Sequence, residues 1–195
     1  MHGLVNRAIQ RFVIDSYGEA QWQTAALRAD VGVVEFEAMA RYDDEITPML
    51  LTAVCDVLNR PYEELMEDIG TYLVSHQNVK ALRRLMRFSG VDFVDFLHSL
   101  DELPERARLA VANLDLPELE LRQNTPGYYE LHCAGPLSGS GYLMMGILRA
   151  MADDYGALVY LEHVGVEEDR ERIGVSLLEA EYAEDKGFAL GAQAG

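Results

Sequence analysis

The spacing of apolar residues changes once along this chain, and that change constrains its fold more than any other feature. Up to about residue 115, apolar side chains recur at i, i+3 and i+4, the mark of helices that bury one face. Beyond it Leu119, Leu121, Tyr129, Leu131 and Cys133 alternate with polar neighbours, the period of half-buried strands. Helices first and strands later predict an α+β fold, a helical half joined to an antiparallel sheet.

Leu4, Val5, Ala8, Ile9, Phe12 and Val13 form one helical face that stops at Tyr17 and Gly18, and Trp22, Ala25, Ala26 and Leu27 begin a second helix. Val33 to Phe36 reads as a short strand or a partly buried connection. Asp44 or Thr47 is the expected cap of a third helix that ends near Asn59, and Pro61 opens a fourth. Asn78 is expected to start a short basic helix with Arg83, Arg84 and Arg87, whose default reading is a solvated face and whose sharper one is docking of an acidic partner. A long helix from Val91 to Leu114 contains Pro104, which should bend or interrupt it, with Asp101 as cap of the fresh start. After two strands and the loop Gly135-Pro-Leu-Ser-Gly-Ser-Gly141 comes an apolar helix over 142–155, then strands over 158–164 and 172–178 joined by an acidic turn. The last residues, 181–195, read as a loosely held tail.

At 195 residues the chain allows one domain, large enough to be stable without disulfide or metal. Sixteen Lys+Arg against 33 Asp+Glu give a net charge of −17, which argues against nucleic acid and anionic membrane as partners. Cys55 and Cys133 form no CxxC, and neither a signal peptide nor a membrane span is evident, so a cytoplasmic location is expected. No nucleophile elbow, HExxH, P-loop or dinucleotide fingerprint is present, and the five histidines fall in no zinc spacing, so the chain is read as not an enzyme. Backbone N–H groups of the glycine-rich loop can hold a carboxylate or phosphate, although a plain helix-starting turn is the ordinary use of such residues.

Four strings in order, MHGLVNRAIQRFVIDSYGEAQW, YDDEITPMLLTAVCDVLN, DFLHSLDELP and LHCAGPLSGSGYLMMGI, resemble the heme nitric oxide/oxygen-binding (H-NOX) domain of bacterial sensors and of the soluble guanylate cyclase β subunit. The resemblance runs from residue 1 to about 180. It implies a single domain with a helical distal part over about 1–60 and a proximal part over about 61–180, in which a four-stranded antiparallel sheet and a long proximal helix hold heme b. It also implies signalling to a separate kinase or cyclase.

In the family a proximal histidine binds the iron, a proline 13 residues later presses on the porphyrin, and a Tyr-x-Ser-x-Arg clamp holds the propionates. Here Pro117 matches the proline, but Pro104 stands at the ligand position, and Cys133, Gly135 and Leu137 stand where the clamp belongs. Proline has no side-chain donor, and leucine cannot make the charge-assisted propionate contact. His98 lies six residues before Pro104, roughly 120° around a regular helix, whereas Leu97 and Leu100 share the old ligand's face. Matched to the family, Val5, Ile9, Leu73, Leu143 and Ile147 line the gas side; none donates a hydrogen bond, which would suit nitric oxide rather than oxygen. The expectation is therefore an H-NOX-like sensory domain whose heme binding is lost or atypical. The alternatives are a pocket for another apolar small molecule, or a heme-free docking protein.

Overall fold

The computed structural model describes residues 1–77, 80–87, 89–111 and 113–179. The tail expected over 181–195 and the helix start expected at Asn78 lie outside them.

Helix α1 (Gly3–Tyr17) packs Ile9, Phe12 and Val13 against Trp22, Ala25 and Ala26 of α2 (Glu19–Ala29) and Leu50, Leu51 and Val54 of α3 (Ile46–Leu58). The segment between α2 and α3 forms no strand; it is a largely exposed connection pinned by Phe36, fully buried, and by the Trp22 indole donating to the Val34 carbonyl at 2.9 Å. The expected caps of α3 are used elsewhere. The N-cap is Glu45, with no side-chain hydrogen bond; Thr47 lies inside the helix and donates to Asn6 at 2.6 Å, and Asp44 pairs with the N-terminal ammonium.

Helix α4 (Tyr62–Ser75) joins this helical core through Leu65, Met66 and Ile69, and crosses the later helix α8 (Ser140–Tyr155) at unusually close range. A Cβ on Gly70 would lie 2.0 Å from the Leu143 carbonyl oxygen, and one on Gly146 would lie 2.0 Å from the Glu67 carbonyl oxygen. Only glycine at both positions permits this crossing.

Helix α5 (Lys80–Arg87) carries the basic cluster, most of which is used within the fold: Arg83 pairs with Asp154 at 2.7 Å and Arg87 stacks 3.9 Å above the Tyr155 ring, both at the end of α8.

The long helix expected from Val91 to Leu114 is broken, as its proline implies. It divides into α6 (Phe93–His98), a 3-10 turn (Leu100–Glu102) and α7 (Leu103–Ala110), with Pro104 in the first turn of α7. Asp101 does not cap α7. Its carboxylate accepts the Leu121 N–H at 2.7 Å from the neighbouring strand, and Glu102 is the N-cap without a side-chain bond. In a first turn the missing N–H of proline costs nothing, and its fixed φ suits the helix. Pro104→Ala is therefore expected to lower stability by about 1 kcal/mol, through a freer unfolded chain and lost burial, where relief of a mid-helix proline would raise it by about 3 kcal/mol. Urea denaturation gives the sign.

Strands β1 (Glu118–Thr125), β2 (Tyr128–Ala134), β3 (Leu158–Glu167) and β4 (Arg170–Glu179) form one antiparallel sheet in the order β1-β2-β4-β3. The inward residues Tyr129, Leu131, Cys133, Ile173 and Val175 pack on α6 and α8, making a second apolar core beside the helical one.

Candidate functional site

A cavity of about 660 Å³ lies where the helical half meets the sheet-bearing half. Leu4, Val5, Ala8 and Ile9 of α1 and Met66, Ile69 and Leu73 of α4 make one wall; Leu103 and Ala107 of α7, followed by Val111 and Leu114, make the other. The mouth is formed by Pro117 before β1, by Gly135, Pro136 and Leu137 after β2, and by Ser140 and Leu143 at the start of α8.

Seven residues expected from the sequence meet here: Val5, Ile9, Leu73, Leu143, Pro117, Gly135 and Leu137. Gly135 lies so close to Pro117 that an added Cβ would stand 3.0 Å from the proline Cβ. Five others lie elsewhere. Leu97 and Leu100 are fully buried in the sheet-side core, Cys133 and Ile147 are buried in the same core, and Pro104 is buried outside the cavity wall. His98 is exposed and sets its ring edge-on to Tyr129, with centroids 5.8 Å apart, so it does not enter the cavity.

The sequence reading missed Leu103 and Ala107, although their i, i+4 spacing is visible once α7 is started at the proline. It also missed Glu171. On β4, opposite Cys133, Glu171 places its carboxylate at the N-terminus of α8. It accepts the Gly139 N–H at 2.7 Å, the Gly141 N–H at 3.1 Å and the Ser140 hydroxyl at 3.4 Å, and its Oε2 lies 3.2 Å from His163 Nε2. A side chain at Gly141 would collide with it, since a Cβ there falls 2.7 Å from Oε2. The glycine-rich loop is a helix-starting turn, its ordinary use, and its N–H groups also hold a carboxylate, which the chain itself supplies where the helix dipole favours negative charge. Tyr142 stacks on His163 at 4.3 Å, and Tyr62 donates to the Ser138 carbonyl at 2.8 Å, holding the loop from two sides. Burial pushes the Tyr62 phenol up to about 12, so it remains a donor.

Asp115, the one carboxylate among the described residues of the cavity wall, is also engaged: it accepts the His2 backbone N–H at 2.7 Å and pairs with Arg41 at 3.2 Å. The N-terminal ammonium donates to Asp44 and to the Tyr42 carbonyl, and this contact holds the Asp44 carboxyl below its ordinary value.

Proteins hold heme iron through imidazole, thiolate, phenolate or a histidine–methionine pair. Among the described residues the cavity wall has no histidine, cysteine or tyrosine and no lysine or arginine; Met1 and Met66 bring thioethers alone. Among the described residues no cluster of His, Cys, Asp and Glu is placed to hold a metal ion. The residues present therefore do not fit a histidine-ligated heme. Nor is Cys133 a substitute, because burial, with a smaller push from the Glu171 charge, raises its thiol to about 12. A higher thiol pKa means less thiolate at any working pH. With a thiol-specific disulfide reagent at pH 8, the folded protein is expected to react slowly at half-buried Cys55, and Cys133 only after denaturation; rapid modification of both would contradict this.

The description Haem-NO-binding matches residues 2–163. Among curated relatives, soluble guanylate cyclase gcy-31 of Caenorhabditis elegans is 25% identical over 170 residues, 87% of this chain and 24% of that protein. Soluble guanylate cyclase 89Db of Drosophila melanogaster is 22% identical over 80% of this chain and 24% of its own length. The chain thus spans about a quarter of the length of these relatives. Among solved structures, an Fe(II) unliganded H-NOX protein mutant from K. algicida superposes with a TM-score of 0.79 at 13% identity, covering 93% of this chain and 99% of that one. An H-NOX protein mutant from S. oneidensis in the Fe(II) state gives 0.78 at 16% identity, covering 93% and 98%. The fold is therefore that of H-NOX proteins, and the chain belongs to the Haem-NO-binding family.

Proposed function

We propose that this is an H-NOX signalling domain that works without the family's histidine-ligated heme and uses the cavity for another apolar small molecule. The observation that carries this reading is the cavity wall: about 660 Å³ of largely apolar space, in the range of small-molecule pockets, whose lining among the described residues includes no imidazole, thiol or phenol. An open cavity of that size also favours ligand binding over a core that has closed up for partner docking alone. Residues 1–180 act as one unit, with a distal part over about 1–60, a proximal part over about 61–180 and the tail beyond. The output partner is a nucleotide cyclase or a kinase, the former in keeping with the guanylate cyclases it resembles, and the location is cytoplasmic; no helix of the described residues is long and apolar enough to cross a membrane.

The test is the absorbance spectrum of the purified protein before and after titration with hemin. No one-to-one histidine-type Soret band is expected. A stoichiometric complex abolished by His98→Ala would overturn the reading and identify the substitute ligand.

A further inference from the structure

We infer that the cavity selects uncharged ligands and rejects anionic ones, because its wall is apolar apart from the Asp115 carboxylate and the donors beside it are already given to the chain's own carboxylates; this selectivity presupposes the heme-independent reading above. An anion entering an apolar pocket must exchange its hydration for protein donors or bear a large desolvation cost. The donors near this mouth are engaged. The Gly139 and Gly141 N–H groups and the Ser140 hydroxyl are given to Glu171, with His163 beside the same carboxylate. The His2 N–H and the Arg41 guanidinium are given to Asp115, and the ammonium of Met1, a residue of the cavity wall, is given to Asp44 and the Tyr42 carbonyl.

A ligand carboxylate or sulfonate would meet the Asp115 carboxylate in the wall as a like charge while leaving water, and like charges repel more strongly in a low-dielectric pocket than in solution. Among the described residues the wall has no lysine, arginine or histidine to offer in return. An uncharged apolar molecule bears none of these costs and gains the full burial of its surface. Leu137 completes the device: at a position where the family resemblance puts an arginine, it lines the mouth as an apolar side chain.

Two fluorescent probes with the same ring system separate the charge effect from size: N-phenyl-1-naphthylamine, uncharged, and 8-anilino-1-naphthalenesulfonate, an anion. On the heme-free full chain the uncharged probe is expected to bind one-to-one, at least about tenfold more tightly than the anion. Ala8→Phe fills the cavity from α1 and Ala107→Phe from α7, and each is expected to weaken the uncharged probe by about tenfold or more. Circular dichroism identifies any variant that fails to fold, and the opposite wall then supplies the test. Leu137→Arg is expected to shift the preference toward the anion by about tenfold. Equal or tighter binding of the sulfonate by the unmodified protein overturns the proposal. So does an uncharged probe indifferent to both fillings, or a preference unmoved by Leu137→Arg. A hemin complex would refute the heme-independent reading, whereas the probe ratio judges the selectivity alone, so the two failures are distinguishable.

Discussion

Replacing Gly146 with valine is expected to lower the stability of the protein by about 3 kcal/mol or more, at the upper end of what overpacking costs. Helix propensity alone points the other way, since glycine in a helix interior is about 1 kcal/mol worse than alanine. The crossing decides the sign. A Cβ on Gly146 would stand 2.0 Å from the Glu67 carbonyl oxygen and 2.8 Å from the Thr71 nitrogen, and these are backbone atoms of α4 that cannot rotate away. The helices must part, and Gly70, whose own Cβ would meet the Leu143 carbonyl at 2.0 Å, marks the same contact from the other side. For a domain of this size the loss corresponds to a fall in Tm of roughly 6–12 °C. Because α4 contributes Met66, Ile69 and Leu73 to the cavity and α8 contributes Leu143, parting the helices should also loosen the pocket. An unchanged or raised Tm for Gly146→Val would mean that the two helices do not cross as closely as described.

The division into a helical and a sheet-bearing half is legible in the sequence because it is written in local periodicity, which each element obeys independently. Glu118–Thr125, Tyr128–Ala134, Leu158–Glu167 and Arg170–Glu179 all fall where alternation places strands, within a few residues. For the distal wall it was the family resemblance, not periodicity, that pointed to Val5, Ile9, Leu73 and Leu143, and these four do line the cavity, whereas Ile147 from the same match does not. The proximal wall was not legible. Treating Pro104 as the interior of one helix puts Leu97, Leu100 and position 104 on a single cavity-facing stripe. The chain instead turns through Leu100–Glu102 and restarts at Leu103, which sends Leu97 and Leu100 into the sheet-side core and brings Leu103 and Ala107 to the cavity. The local signal of a break was present, but the new rotational phase depends on where Asp101 is anchored, and that anchor is the Leu121 N–H on β1. Glu171 escaped notice for a related reason. Its approach to α8 depends on the pairing of β4 with β2, where it stands opposite Cys133, a register that no short stretch of sequence encodes.

That change of phase leads to a result opposite in position to what the family resemblance suggests. Leu103→His is expected to give the protein a one-to-one complex with hemin, with a Soret band absent from the parent and an affinity at least about tenfold above it. Leu103 lines the cavity, is nearly buried, and lies one turn before Ala107 on the same wall, so an imidazole there enters the space a porphyrin would need. Pro104 lies about 100° further around the helix and is absent from the wall, so Pro104→His should bind hemin more weakly than Leu103→His. Iron ligation alone would leave the propionates without a cation among the described residues of the wall, which keeps the affinity modest. Adding Leu137→Arg to Leu103→His should tighten the complex further, because a guanidinium at the mouth supplies the missing charge-assisted contact. Hemin binding that is tighter in Pro104→His than in Leu103→His would show that α7 presents the other face to the cavity, and would remove Leu103 and Ala107 from its wall.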